Sequence, residues 1–594
     1  MDTSDADMPS SSESVPDVPK TTDADLLSSS EFIPALPSPL VQNSRPVRER
    51  RQTVWHSMLT ILHGHPEPSS YQEAITSTEA ILWQKAMEEE YNSLIENGTW
   101  VLTELPQGRS VIKSRWVYKL KPSYLNLIPA RYKARFVAKG YSQKQEIDYK
   151  ETFAPVVKHD SLRVVLSLVA AYDLEMLQLD VTTAFLHGEL AEEIYIEQPE
   201  GFIKPGHESS VCCLKKCLYG LKQSPRIWNQ KFNSFLVKYG LQSSTADPCV
   251  YIGHGPESDD FTIVAIWVDD GLVCSRTKTR NDLIVKYLTN HFKMSSGPAD
   301  RFIGLKITRI RSEKKLFVCQ SLYIEKLLEI FNMQNCIPKT VPAEPGSRLT
   351  VKDSPTTVTE QSSMSSTPYR QAVGSLMYAM IMTRPDIAFA VGQVSRFSVN
   401  PGPVHWEAVK RILSYLAGTP RHGLCFTGTD LSNQFLGYSD SDYAGCPDTR
   451  RSTTGTLFIL NGGPISWKSR IQKPVACSST EAEYYAAGDA AREAVWLRLL
   501  LENLNSRQTK PSPLFCDNQS TIRLIHNPEF HDRTKHIAVK FHYIRQVFSE
   551  GKIAMFFIPT TNNLADIFTK ALPSVAFTAF RTAMGVIAVP SSNI

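Results

Sequence analysis

Hydrophobic and polar positions follow several different rhythms along the chain, and each rhythm predicts a different element. In TSTEAILWQKAMEEEYNSLIENGTW, Trp83, Met87, Tyr91 and Leu94 recur at spacings of three and four, on one face of a helix that Asn97-Gly98 ends. RWVYKLK (115–121) and RYKARFVAKG (131–140) alternate as paired strands do. MLQLDVTTAFL and FTIVAIWVDDGLVCS are apolar runs interrupted by aspartates and a few uncharged polar residues. Strand-like runs and helices mix without a regular βαβ rhythm up to about Pro345. The polar stretch at 346–368, GSRLTVKDSPTTVTEQSSMSSTP, predicts a boundary. A helical segment from Tyr369 to about Gly418 follows, and FLGYSDSDYAG opens a last α/β unit ending near Leu572.

The first 45 residues are rich in Ser, Pro, Asp and Thr and are expected to be disordered, since they bury too little apolar surface to offset ordering entropy. A short basic cluster follows at Arg45, Arg48, Arg50 and Arg51, read as a solvated linker end with nucleic-acid contact or nuclear import as the alternative. The 594 residues are too many for one core. A net charge of +4 is too small for this length to indicate a partner by itself. The eleven cysteines lack Cys/His partners at zinc spacing and read as reduced structural thiols. No apolar run approaches the ~18 residues of a membrane span, and the acidic N-terminus is not a secretory signal.

Local charge is more telling. Between Leu105 and Gln145 stand ten Lys or Arg and no acid, among them Lys113, Arg115, Lys119, Lys121, Arg131, Lys133, Arg135 and Lys139. A hairpin so charged presents cations to phosphates. Asp180 ends one apolar run, and Asp269 and Asp270 lie between two others at an expected tight turn. Carboxylates in such settings are costly unless a cation neutralises them. Asp180 with one or both of the later aspartates suits a pair of Mg²⁺ ions about 4 Å apart, the centre of a nucleotidyl transfer.

The segments KARFVAKG (133–140), ETFAPV (151–156), DVTTAFL (180–186), LYGLKQSPRIW (218–228) and WVDD (267–270) resemble, in order and at compatible spacing, the reverse transcriptase of copia-type retrotransposons. The resemblance covers roughly residues 71 to 345. It implies a right-hand polymerase with fingers, palm and thumb, in which Asp180, Asp269 and Asp270 hold the metals. It makes Phe185 a steric gate against a ribose 2′-hydroxyl and gives Gln223 a part in positioning template and nucleotide. Lys133 and Arg135 become substrate contacts, and Gly304 of RFIGLKI falls at the primer grip. Trp267 stands where the family has tyrosine, next to the primer terminus, and Ser224 replaces the usual alanine.

The C-terminal third carries a second acid set. Asp440 ends a strand with Asp442 two residues on, Glu481 and Glu483 open a long helix, Asp517 follows a short strand, and Asp566 starts a helix. Acids on separate elements gather only if metal balances them, which suits hydrolysis of a phosphodiester by water. DTRRSTTG, SSTEAEY, CDNQS, RTKHI and ADIFTK resemble the ribonuclease H of the same elements. Matching that pattern favours Glu483 over Glu481 and Asp440 over Asp442. His531, His536 and His542 lack a cysteine at ligand spacing and are not read as a zinc site; His536 is expected to contact substrate or cap structure, and Ala538 replaces the family's acid. Arg450, Arg451, Lys468, Arg470 and Lys473 are candidates to grip a hybrid backbone.

The expected plan is a disordered linker at 1–70, reverse transcriptase at 71–345, a connecting segment at 346–433, a ribonuclease H-like α/β domain at 434–573 and a tail at 574–594. The resemblance implies two Mg²⁺ per active site, with Mn²⁺ as substitute. It implies RNA template, DNA primer, RNA–DNA hybrid and dNTPs as partners, with integrase and capsid protein of the same element beside them. It places the protein inside the cell, in cytoplasmic virus-like particles and the nucleus, with no membrane partner. No zinc knuckle, Asp-Ser/Thr-Gly signature or His-His-Cys-Cys module appears upstream, so the chain is expected to be a processed product, a fragment or a decayed copy. The competing reading is a domesticated relic that only binds nucleic acid. Trp267 and the missing modules favour it, whereas seven acids in place favour an enzyme.

Overall fold

A computed structural model describes residues 67–121, 131–255, 260–428, 433–527 and 542–590. The chain divides into Met1–Thr53 and Val54–Ile594, and every described residue lies in the second unit. The basic cluster at 45–51, His531, His536 and Ala538 fall outside the described residues.

The amphipathic pattern near the start becomes helix α1, Ala80–Glu96, with Trp83, Met87 and Leu94 buried and Tyr91 partly so. It packs on a hairpin of β1, Ser114–Lys121, and β2, Arg131–Ala138. The Trp83 ring meets Tyr118 at 5.3 Å and Tyr132 at 4.7 Å, both edge-on. Burial alternates along β2, so its aromatic face packs and its cations point away.

Helix α2, His159–Tyr172, is buried along most of its length and leads into β3, Glu175–Val181. Helix α3 spans Ser224–Lys238. After it come β4, Val250–His254, β5, Phe261–Trp267, β6, Asp270–Ser275, and β7, Met294–Pro298. With Gln242–Ser243 these form a six-stranded sheet ordered β7-β3-β6-β5-β4 and then the short edge strand. β5 is buried over six of its seven positions, which explains a sequence that is apolar apart from Thr262.

The next sheet joins parts far apart in sequence. β8, Arg301–Phe302, β9, Leu305–Ile310, and β10, Lys315–Cys319, continue through β11, His422–Thr427, to Val586–Ala588 near the C-terminus. Helices Tyr369–Met382 and Pro403–Gly418 lie between β10 and β11 in the chain. Among them Arg384 and Asp386 form a fully buried pair, Nη2 to Oδ2 at 2.8 Å, which Tyr415 and Thr419 complete.

The last sheet is ordered β14-β13-β12-β15-β16, from Leu436–Ser441 (β12), Thr453–Leu460 (β13), Gly463–Ile471 (β14), Ser512–Cys516 (β15) and Ile553–Phe557 (β16). β12 to β14 pair antiparallel, while β15 runs parallel to both β12 and β16. Helix α4, Ser479–Asn503, packs on this sheet. Arg163 of α2 bolts the two halves together: it is buried, donates to Ile465 O and Ile381 O at 2.7 Å each, and lies 3.9 Å from the Trp467 ring centroid. Trp496 Nε1 adds a bond to Ala246 O at 3.0 Å. Among the described residues no helix is long and apolar enough to cross a membrane.

Candidate active sites

The first site forms where β3 and β6 lie side by side. Asp180 and Asp270 are direct cross-strand partners, which puts both carboxylates on one face. Asp269 sits in the two-residue turn between β5 and β6, and its carbonyl accepts from Val181 N at 2.9 Å. Like charges opposite one another on a sheet repel, so the arrangement favours a cation between them. Asp180 is exposed and the other two are half-buried, leaving the face open to solvent.

The turn is held under strain. Val268, a β-branched residue, has φ +57°, a region such side chains avoid. Trp228 Nε1 donates to Val268 O at 2.7 Å and helps fix it. Trp267 is half-buried and lies 5.3 Å from the His159 ring. Phe185, also half-buried, meets Tyr219 at 4.6 Å between centroids. Arg135 of β2 lies 5.3 Å over the same Tyr219 ring. Burial, then the charge of Asp269, pushes the Tyr219 hydroxyl up to about 12, against the pull of Arg135. Tyr219 therefore links the basic hairpin to Phe185 and lies within the field of Asp269 and Asp180. It was missed as a site residue although it stands inside the quoted motif LYGLKQSPRIW, as does Trp228.

The hairpin is docked by backbone. Ala138 N donates to Tyr219 O at 2.8 Å, and Gly220, at φ +94°, would bring a Cβ within 2.1 Å of Ala138 O. Lys133 stands directly opposite Lys119, whose Nζ meets Glu67 at 2.9 Å. Gln223 is buried: its Nε2 donates to Asp148 O at 2.8 Å and its Oε1 accepts from Gln143 Nε2 at 3.1 Å. In this conformation Gln223 secures the 143–148 segment rather than facing the open site. Gly304, at φ +81°, forms with Ile303, at +44°, the turn between β8 and β9, against Tyr378.

The second site is tighter. Asp440 at the end of β12, Asp517 after β15 and Asp566 in the 3₁₀ turn Leu564–Phe568 bring carboxylate oxygens within 4.8 Å of one another. Glu483 of α4, with Cys516 and Asp517, forms a second such set at the same limit. Asp180, Asp269 and Asp270 are not such a set among the described residues. Glu483 Oε1 accepts from Ser441 N at 3.1 Å, Thr569 Oγ1 donates to Asp440 Oδ2, Thr560 Oγ1 donates to Asp517 Oδ2 at 2.6 Å, and Lys570 Nζ meets Asp566 Oδ2 at 2.8 Å. Asp442 turns instead to Thr453 N, and Glu481 caps its helix through Cys477 N at 2.7 Å and Tyr485 OH. Thr569 and Lys570 were also missed, though ADIFTK contains both. Of the three histidines, His542 is described, and its Nδ1 lies 3.0 Å from Tyr484 OH.

Burial, then the charge of Asp566, raises Asp440; burial, then Asp440 and Asp517, raises Glu483 well above the carboxylate range. Asp566 is raised by burial against the pull of Lys570, and its Oδ1 is buried with no hydrogen-bond partner. An orphaned oxygen among crowded acids is what a divalent cation satisfies, so the residues fit one. Because the folded acids bind protons more tightly than the unfolded chain does, the metal-free cluster loses stability as pH rises above the ordinary carboxylate range. Asp440→Asn should therefore raise the melting temperature of the metal-free chain at about pH 8, by an amount worth ~1 kcal/mol or more, with no gain near about pH 4. Melting curves across pH check this.

The family described as reverse transcriptase (RNA-dependent DNA polymerase) matches residues 97–345. A retrovirus-related Pol polyprotein from transposon TNT 1-94 of Nicotiana tabacum is 46% identical over 92% of this chain and 41% of its own. A transposon Ty5-1 protein of Saccharomyces cerevisiae is 31% identical over 53% of this chain and 100% of its own length. The chain belongs to the copia-type retrotransposon Pol family. It spans about two fifths of the length of the first of these relatives. A foamy viral protease–reverse transcriptase in complex with RNA/DNA hybrid aligns over 82% of this chain and 54% of its own at TM-score 0.44 and 13% identity, too loosely to transfer positions.

Proposed function

We propose that this chain copies RNA into DNA and cleaves the RNA of the resulting hybrid. The observation that carries the reading is the facing pair Asp180 and Asp270, with Asp269 in the adjoining turn, inside the segment that matches reverse transcriptases. Fingers, palm and thumb fall within 71–345, the connecting segment is 346–433, the nuclease is 434–573, and 574–594 follows it. Asp180, Asp269 and Asp270 would hold the metals of polymerisation; Asp440, Glu483, Asp517 and Asp566 would hold those of cleavage. Bound by these acids, two Mg²⁺ per site, or Mn²⁺ in their place, would supply the positive charge that activates an attacking oxygen and stabilises a leaving one. The basic hairpin, through Lys133 and Arg135, orients the triphosphate, and Lys570 stays protonated beside Asp566 to balance charge around the nuclease acids. RNA template, DNA primer, hybrid and dNTPs are the substrates. Capsid and integrase of the same element are the expected companions, in cytoplasmic particles and the nucleus.

The experiment uses nucleotide choice. The Phe185 ring, braced by Tyr219, lies five residues after Asp180, and as a steric gate it would block a ribose 2′-hydroxyl. Wild type should extend a DNA primer on RNA with dNTPs and reject rNTPs. Phe185→Val should keep dNTP incorporation and admit rNTPs at least about tenfold better, a change of ~1.4 kcal/mol in the transition state. Unchanged discrimination with polymerisation intact returns Phe185 to core packing.

A further inference from the structure

The motif ETFAPV takes no part in the chemistry above, yet its backbone is closely held. Glu151 Oε1 accepts from Thr152 N at 3.0 Å and from Phe153 N at 3.2 Å. Arg226 Nη1 donates to Phe153 O at 3.0 Å. Four residues on, Val157 N donates to Ile266 O at 3.3 Å. Between these ties the Phe153 ring itself is 69% exposed. Single exposed apolar residues are common. An exposed aromatic ring on a backbone fixed from both sides is instead a preformed contact surface.

Its position says what it contacts. Ile266 is one residue before Trp267, where the turn carrying Asp269 begins, and Arg226 lies two residues before Trp228, which holds that turn. Phe153 is thus within about 14 Å of Val157 even if the chain is fully extended. In the sheet order, β3 and β6, with Asp180 and Asp270, are neighbours, second and third of the six strands. β7, which leads to the Ile303-Gly304 turn, lies on one side, and β5, to which the 151–157 segment is tied, lies on the other. A duplex across the aspartates puts one strand on each side. The family resemblance puts the primer on the Gly304 side, which leaves the Phe153 side to the template. Lys144 and Lys150, exposed on the same stretch of chain, supply partners for its phosphates.

We propose that Phe153 is a stacking platform for an unpaired base of the template strand, just ahead of the base being copied. The inference rests on the polymerase reading and adds the path of the single strand to it. Aromatic side chains bind single-stranded nucleic acid this way because every base offers a π face. The test is binding alone, with Ca²⁺ replacing Mg²⁺ to prevent turnover. A labelled DNA primer annealed to an RNA template with a 5′ overhang is compared with a blunt hybrid. Wild type should prefer the overhang. Phe153→Ala should lose about tenfold in affinity for the overhang and nothing for the blunt hybrid. Phe153→Trp should keep the preference, and Phe153→Leu, apolar but without a π face, should not. An alanine or leucine variant equal to wild type on the overhang overturns the proposal, as does an equal loss on the blunt hybrid. A wild type that binds neither substrate overturns the polymerase reading as well.

Discussion

Asp269→Asn should cut primer extension by at least about a thousandfold, ~4 kcal/mol of transition-state stabilisation, and leave cleavage of a preformed hybrid within about twofold of wild type. The carboxamide keeps the size of the side chain and lacks the charge a divalent cation requires. The fold should survive, because the structural bond at this position is made by the backbone: Val181 N donates to Asp269 O at 2.9 Å. Trp228 still holds Val268 O. The four acids of the second site stand on and around a different sheet, so damage at the turn should not reach them. Extension that persists in Asp269→Asn would show that the aspartate turn is not the polymerisation centre.

The converse loss is expected at the second centre. Glu483→Gln should remove hybrid cleavage by a comparable factor and spare extension. A glutamine Oε1 can still accept from Ser441 N, the hydrogen bond that holds Glu483 at 3.1 Å, so α4 should stay seated. What goes is negative charge in a cluster whose acids are already raised by burial and mutual repulsion, and therefore poised for a cation. Glu481→Gln is the control. Its carboxylate closes the helix start through Cys477 N and Tyr485 OH, so this variant should lose some stability and keep cleavage. The reverse pattern would move the site by two residues.

That pair shows how far sequence reaches. Glu481 and Glu483 lie some 200° apart around a helix, and nothing local says which face meets the sheet. Asp440 and Asp442 share the two-residue period of a strand, yet the strand ends at Ser441 and Asp442 turns back to Thr453 N. Periodicity and the family motifs located the segments in which the seven acids lie. They were blind to contacts made across hundreds of residues. Arg163 bonds to Ile465 O, 302 positions away, and β10, β11 and Val586–Ala588 share one sheet across the polar stretch that reads as a boundary. Such closures depend on packing between halves and leave no local signature. Tyr219, Trp228, Thr569 and Lys570 were hidden differently: each stood within a quoted motif, but its role came only from what it touches.

Polymerisation and cleavage by one chain should be visible together. This is tested most directly by a single reaction of the wild-type protein on an RNA template, labelled on its RNA strand, annealed to a DNA primer labelled with a second dye. In Mg²⁺ and dNTPs the account predicts that the primer lengthens and, in the same tube, the paired RNA shortens, with both changes stopped by EDTA. A primer that stays unextended in Mg²⁺ and in Mn²⁺, with the hybrid bound and its RNA intact, would contradict it and leave a retroelement relic that only holds nucleic acid.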